Sequence, residues 1–204
     1  MSRLGASLGG FLKPLFVLCL YCVFASANAD LRWIKYTGDI PKNAVTGGYE
    51  EGRVLYICQA HFNNGLHPGK IVEHGCNIGW GGSEHTIRNF KILVGKAEIL
   101  WADRFGLLGM PSVNQFHFRR QMLNNTTYLD AWYPFIGGHE SNGTPLYICN
   151  SQHFTFERVP AHRTQSKGRH PGKIVNHNCN FGYGGDEIVQ KDHYMILLVK
   201  GQNK

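Results

Sequence analysis

Two stretches of this chain carry the same reactive groups in the same order. The first runs His67-Pro68-Gly69-Lys70-Ile71-Val72, then through Cys76 and Trp80 to Gly81-Gly82-Ser83-Glu84. The second runs His170-Pro171-Gly172-Lys173-Ile174-Val175, then through Cys179 and Tyr183 to Gly184-Gly185-Asp186-Glu187. The interval is 103 residues throughout, 67 to 170 and 84 to 187 alike. Such constancy marks an internal repeat. Upstream, Gly47-Gly48-Tyr49-Glu50 is answered by Gly137-Gly138-His139-Glu140. Each repeat therefore holds lysine, glutamate and an aromatic ring among bare glycines. A carboxylate accepts from hydroxyls and an ammonium donates to them. Charge-assisted bonds of this kind contribute about 1.5–3 kcal/mol each. An aromatic ring can cover the C–H face of a pyranose, and glycine lets a ligand approach the backbone. This is the chemistry of sugar binding. One such site gives roughly −4 to −8 kcal/mol, millimolar to micromolar, and two sites add avidity on a multivalent surface.

Other uses of these groups are less well served. A hydrolase built on Glu50, Glu84 or their counterparts needs two carboxylates at a fixed separation around a cleft. Duplication of an acid and a lysine favours binding over catalysis, so no enzyme is expected. The 11 histidines are scattered, and neither a metal site nor a cofactor is expected. For Glu84 and Glu187, pairing with a backbone donor or a lysine ranks ahead of sugar contact. For Trp80 and Tyr183, core packing ranks ahead of stacking on a ligand. His67 and His170 are read as shaping the turn before proline. Lys70 and Lys173 are read as sugar-binding residues ahead of plain solvent-exposed strand positions, and replacing both with alanine is expected to abolish retention on a sugar column and leave the fold intact.

The elements that must position these groups are short strands. Val54-Leu55-Tyr56-Ile57-Cys58, Lys70-Ile71-Val72, the segment 76–80 and Phe90-Lys91-Ile92-Leu93-Val94 are rich in β-branched and aromatic residues and bounded by glycine. Asn63-Asn64-Gly65 supplies turn chemistry. The second repeat follows the same order, through Leu146-Tyr147-Ile148-Cys149 to residues 194–200. Its first strand lies only 91 residues after its counterpart, 55 to 146, so an insertion at about 157–167 restores the longer interval. Residues 115–118 alternate and read as one more strand. No segment sustains a 3.6-residue apolar period. The fold class is all-β: two tandem repeats forming an intertwined, pseudo-twofold, sandwich- or barrel-like arrangement of short antiparallel strands. Neither repeat has enough apolar residues for a good core alone, so the two are expected to share one or to interleave strands.

The N-terminus reads as a secretory signal. Arg3 and Lys13 precede an apolar run at 14–24, and small residues lead to an expected cut after Ala29. Removing those two cations leaves 19 basic residues against 14 acidic, a net +5 with no basic run. Nucleic acid is not an expected partner. The apolar run is shorter than the roughly 20 residues that span a bilayer, so membrane insertion is not expected. The organisation is then a signal at 1–29, a first repeat with lead-in at 30–100, a connecting segment at 101–131 and a second repeat at 132–204. Beyond the leader lie Cys58, Cys76, Cys149 and Cys179. An even, repeat-matched set in an exported protein reads as disulfides. Of three pairings, Cys58–Cys76 with Cys149–Cys179 lets each repeat staple itself. Asn124, Asn125 and Asn142 head glycosylation sequons.

The series Gly-Gly-x-Glu, Leu-Tyr, Pro-Gly-Lys, Trp/Tyr-Gly-Gly-x-Glu and a closing Leu-Val, found twice, resembles the DM-nine repeat family, the natterin-like domain. The likeness covers most of residues 33–95 and 132–199. It implies an all-β fold of two intertwined repeats. It is also similar to bivalve mannose-binding lectins of that family, which bind sugar without calcium. There an acid after Gly-Gly and the lysine of Pro-Gly-Lys hold the sugar. These fall here on Glu50 with Lys70 and on Glu140 with Lys173. The lectins carry aspartate where this chain has glutamate, and they lack its cysteine pairs. The resemblance implies a secreted, calcium-independent lectin for mannose-type or microbial glycans, acting in recognition of microbes or in a secretion. Glycans are its partners, and a homodimer is compatible with it. The alternative is a structural or venom-type secreted module without a small ligand.

Overall fold

The computed structural model describes residues 31–97, 99–103, 132–156 and 164–200. The expected leader, the sequons at Asn124 and Asn125, the alternating stretch 115–118 and residues 157–163 of the insertion lie outside the described residues. Those described form strands and no helix. The first group is β1 (Arg32–Lys35), β2 (Thr46–Glu50), β3 (Arg53–Phe62), β4 (Gly65–Val72), β5 (Gly75–Trp80), β6 (Ser83–Ile87), β7 (Phe90–Val94) and β8 (Ile99–Asp103). The second is β9 (Trp132–Pro134), β10 (Ile136–His139), β11 (Pro145–Phe156), β12 (Thr164–Val175), β13 (Asn178–Tyr183), β14 (Asp186–Gln190) and β15 (Tyr194–Lys200).

Every pairing is antiparallel, and the order closes on itself. Eight strands, β3-β2-β12-β13-β14-β6-β5-β4, return to β3 through the β3–β4 pairing. The same core path also closes through β10 and β11, because β4 pairs with β10 and β12 with β11. The two closures are related by a pseudo-twofold axis. Strands cross between repeats in both directions: β2 lies on β12 with Tyr49 opposite Arg169, and β10 lies on β4 with His139 opposite Leu66. These crossings are close. A Cβ on Gly48 would overlap the carbonyl oxygen of Arg169, and one on Gly138 that of Leu66. The repeated Gly-Gly is thereby explained as a point of backbone contact.

The expectation of a shared core and of interleaved strands is met on both counts. One cluster belongs to the first repeat, around Cys58, Ile71, Cys76, Ile78 and Ile92. Its counterpart surrounds Cys149, Ile174, Cys179, Phe181 and Ile196. A third cluster joins Val45, Ile57 and Leu93 of one repeat to Ile148 and Leu197 of the other. Disulfides Cys58–Cys76 and Cys149–Cys179 staple the individual repeats, with Cα atoms 5.8 Å apart in each. Loops of this length contribute about 3 kcal/mol apiece by restricting the unfolded chain.

Three features differ from the sequence reading. The sequence showed no strand after Gly81-Gly82 or Gly184-Gly185, yet β6 and β14 follow them, pairing with β5 and β13 and meeting each other at Ser83 and Asp186. The lead-in holds β1, whose Trp33 faces Leu93 on β7; β8 does the same for the second repeat, with Trp101 facing Leu197 on β15. The boundary expected at residue 100 thus falls inside a strand. Part of the inserted segment is strand, since β12 already begins at Thr164.

Candidate functional site

The Pro-Gly-Lys motif is not a turn. Pro68 sits in the middle of β4 opposite Gln59, and Pro171 in the middle of β12 opposite Asn150. Proline lacks an N–H and normally avoids interior strand positions. Here it stands where the strand changes partner. One flank of β4 meets β10 at Leu66 and β5 from Lys70 onward; β12 meets β2 at Arg169 and β13 from Lys173 onward. The missing donor falls in the gap. The next residue but one, lysine, then points into the barrel.

Both lysines are buried, 2 % exposed each. A buried ammonium requires partners, and each finds its nearest one in the opposite repeat. Lys70 Nζ donates to His170 Nδ1 at 3.2 Å, and Lys173 Nζ donates to His67 Nδ1 at 3.0 Å. The tautomer of His67 follows from its other contact. Its Nε2 lies 3.2 Å from the Phe62 carbonyl, which can only accept, so Nε2 carries the hydrogen and Nδ1 offers its lone pair. Burial, and then the Lys173 charge, push the His67 pKa down to about 4 and keep the ring neutral. Burial likewise lowers the pKa of Lys70, against the pull of Glu50 and Glu84, and that of Lys173, against Glu140 and Glu187.

The carboxylates divide into two kinds. Glu84 and Glu187 are clamped. Glu84 accepts from Asn77 Nδ2 at 2.9 Å and, across the axis, from Gly185 N at 3.1 Å. Glu187 accepts from Asn180 Nδ2 at 3.0 Å and from Gly82 N at 3.0 Å. Gly82 and Gly185 have φ of 88° and 95°, a conformation that aims their N–H groups across the axis and that only glycine adopts cheaply. The backbone pairing expected of these two glutamates is therefore present, together with an ion pair of Glu84 to Lys70 at 3.9 Å. Glu50 and Glu140, the acids after Gly-Gly, differ from each other in exposure. Glu140 lies 3.8 Å from Lys173 with its side chain 27 % exposed. Glu50 turns instead to Arg53, at 3.7 Å, and its side chain is 12 % exposed. The carboxylate–ammonium separations of 3.8 and 3.9 Å exceed a direct hydrogen bond, and a bridging hydroxyl fits such a gap.

One aromatic residue, Tyr183, also reaches the opposite repeat's site. The Tyr183 ring lies 5.1 Å from Lys70 Nζ, so the second repeat supplies the ring of the first repeat's site. Its hydroxyl pKa is raised by burial and by Glu50, Glu51 and Glu84, all acids of the first repeat. Trp80 packs edge-on against Phe62 at 5.6 Å and tilted against His85 at 6.4 Å, a packing role. Beside the Lys173 cluster, Glu140 opens on a cleft of about 460 Å³ that Tyr147, Ile174 and His177 also line, a size that accommodates a small ligand. Asn142, on its rim, is exposed, and its Oδ1 accepts from Thr144 N at 3.0 Å.

The structure thus brings Glu50, Lys70, Glu84 and Tyr183 into one cluster and Glu140, Lys173 and Glu187 into another. It corrects the reading of His67 and His170. They are fully buried acceptors for the opposite lysine. Their strict interval with the lysines was the available signal.

The DM9 repeat family model matches residues 16–87 and 52–158. No curated protein matches. Among solved structures, the chain is similar to the nematode sperm cell motility protein MFP2B, with a TM-score of 0.53 at 17% identity over 84% of this chain and 47% of that one. At that identity the likeness is one of fold, and the chain spans about half the length of that protein.

Proposed function

We propose, from the premise that this chain belongs to the DM9 repeat family, that it is an exported carbohydrate-binding protein with two sites. Each is built from an acid after Gly-Gly, a buried lysine, a clamped glutamate and the opposite repeat's histidine. The observation that carries this reading is the twofold occurrence of a buried ammonium within hydrogen-bond distance of the opposite repeat's imidazole Nδ1, with a carboxylate just beyond hydrogen-bond length. A vicinal diol entering that gap accepts from the lysine and donates to the acid. Lys173 with Glu140 and Lys70 with Glu84 would frame these gaps, and Glu50, held beside Arg53, would meet the ligand from the mouth of the first site. Mannose-type or microbial glycans are the ligand class, and calcium has no part in the scheme. The two disulfides and the leader-like N-terminus support secretion, and Asn142 is the best-placed sequon described.

A second reading draws on one observation. Lysines only 2 % exposed can be pins that lock two repeats together, as in a structural module without a ligand. A glycan array on the protein lacking residues 1–29 separates the two. Binding that is lost in Lys173→Met and Lys70→Met variants that remain folded supports the lectin. An array with no retained glycan, in a protein whose variants lose only thermal stability, leaves the pin.

A further inference from the structure

We propose that the two clusters take different sugars: the Lys70 cluster an acidic one, bearing a carboxylate or sulfate, and the Lys173 cluster a neutral one. This rests on the reading that both clusters bind sugar. The difference begins at one matched position. In the β2–β3 hairpin, Glu50 stands opposite Arg53. In the β10–β11 hairpin, the residue opposite Glu140 is Thr144, whose carbonyl accepts from Glu140 N at 2.9 Å.

Arg53 changes what the first cluster offers. Its side chain is 62 % exposed, and Nη2 lies 3.7 Å from Glu50 Oε2. Glu50 is thereby drawn to the guanidinium, and the Lys70 ion pair runs to Glu84. With no guanidinium paired to it among the described residues, Glu140 keeps its place 3.8 Å from Lys173 and is more than twice as exposed as Glu50. The inner acids do not distinguish the sites, since Glu84 and Glu187 are clamped by matching asparagines and glycines.

The hydrogen-bonding capacity therefore differs in kind. A guanidinium has five N–H donors in a planar fork, and contact with one carboxylate leaves others facing water. That fork matches a carboxylate or sulfate in bidentate fashion. Behind it stands Lys70, with the Tyr183 ring 5.1 Å away for a pyranose C–H face. The second mouth presents an open carboxylate, which accepts from neutral hydroxyls and repels an anion. Glu51 also carries negative charge near the first mouth, but it sits exposed on the hairpin turn, where solvent weakens its field.

Exchange of the two mouth residues tests this on the full chain, because both lie at the surface. The probes are the methyl glycosides of mannose, glucose and galactose and the three matching uronates, titrated by calorimetry. Arg53→Thr is expected to weaken the best-binding uronate at least tenfold and to leave the best neutral glycoside within twofold. Thr144→Arg is expected to create a second uronate site. Unchanged uronate binding in Arg53→Thr overturns the inference while leaving the sugar reading in place. Failure of all six probes, on the wild-type chain at millimolar concentration, overturns the sugar reading and the inference with it.

Discussion

The two acid–lysine clusters agree in their depths and differ at their mouths. The Lys70–His170 contact is matched by Lys173–His67, and Asn77–Glu84 by Asn180–Glu187, each within a few tenths of an ångström. At the rim the matched positions differ: Arg53 corresponds to Thr144, Tyr49 to His139 and Trp80 to Tyr183. A buried ion cannot drift alone, because removing one partner strands the other in a medium that does not solvate it. Rim residues have water as a substitute partner. The constant part is thus set by desolvation, and the variable part is where specificity can reside.

The largest break in this comparison should come from a lysine. Lys173→Ala leaves His67, Glu140 and Glu187 facing a cavity, and is expected to cost about 3–5 kcal/mol, read as a lower midpoint in urea. Lys70→Ala should cost a similar amount. Burial therefore replaces the expectation that these substitutions spare the fold. Lys173→Met, which keeps most of the volume, should cost clearly less. If alanine and methionine prove equal, charge rather than packing dominates.

Next come the disulfides. Cys58→Ala with Cys76→Ala, and Cys149→Ala with Cys179→Ala, should each lower stability by about 3 kcal/mol. The second pair closes the longer span, 30 residues against 18, and should be slightly costlier on chain entropy.

Acid should act on His67. Its folded pKa, about 4, lies below the ordinary 6.5. Between those values the unfolded chain binds the proton and the folded chain does not. Stability should accordingly fall as pH drops from 6.5 to 4, by up to about 3 kcal/mol from this group, and level off below. A His67→Gln variant should flatten that slope in thermal melts. The smallest effect belongs to the rim: Arg53→Thr should change stability by less than about 0.5 kcal/mol, in contrast to its proposed effect on ligand choice.

Much of this was legible in residues alone. The fixed interval revealed the repeats, matched cysteines gave the pairing within each, and glycine-bounded β-branched runs gave the strand class. Glu84 and Glu187 were read as pairing with a backbone donor or a lysine, and each accepts from a glycine N–H, though of the other repeat. What escaped reading was tertiary. Pro68 and Pro171 look like turn residues, and only the change of neighbouring strand makes them acceptable in mid-strand. Ser83-Glu84-His85-Thr86-Ile87 has a single strongly apolar residue, so β6 is fixed by its partners β5 and β14 rather than by its own composition. The burial of Lys70 could not be read, because its histidine is 100 residues away. The repeat itself held the clue: two histidines at the lysines' own interval.

The crossing of β2 onto β12 and of β10 onto β4 bears on ancestry. A lone unit would have an unclosed wall and an ammonium with no imidazole to receive it. Two identical chains meeting about a dyad would repair both defects at once. The crossing therefore fits descent from an obligate pair of small chains later joined end to end, after which each half could begin to change at its own entrance.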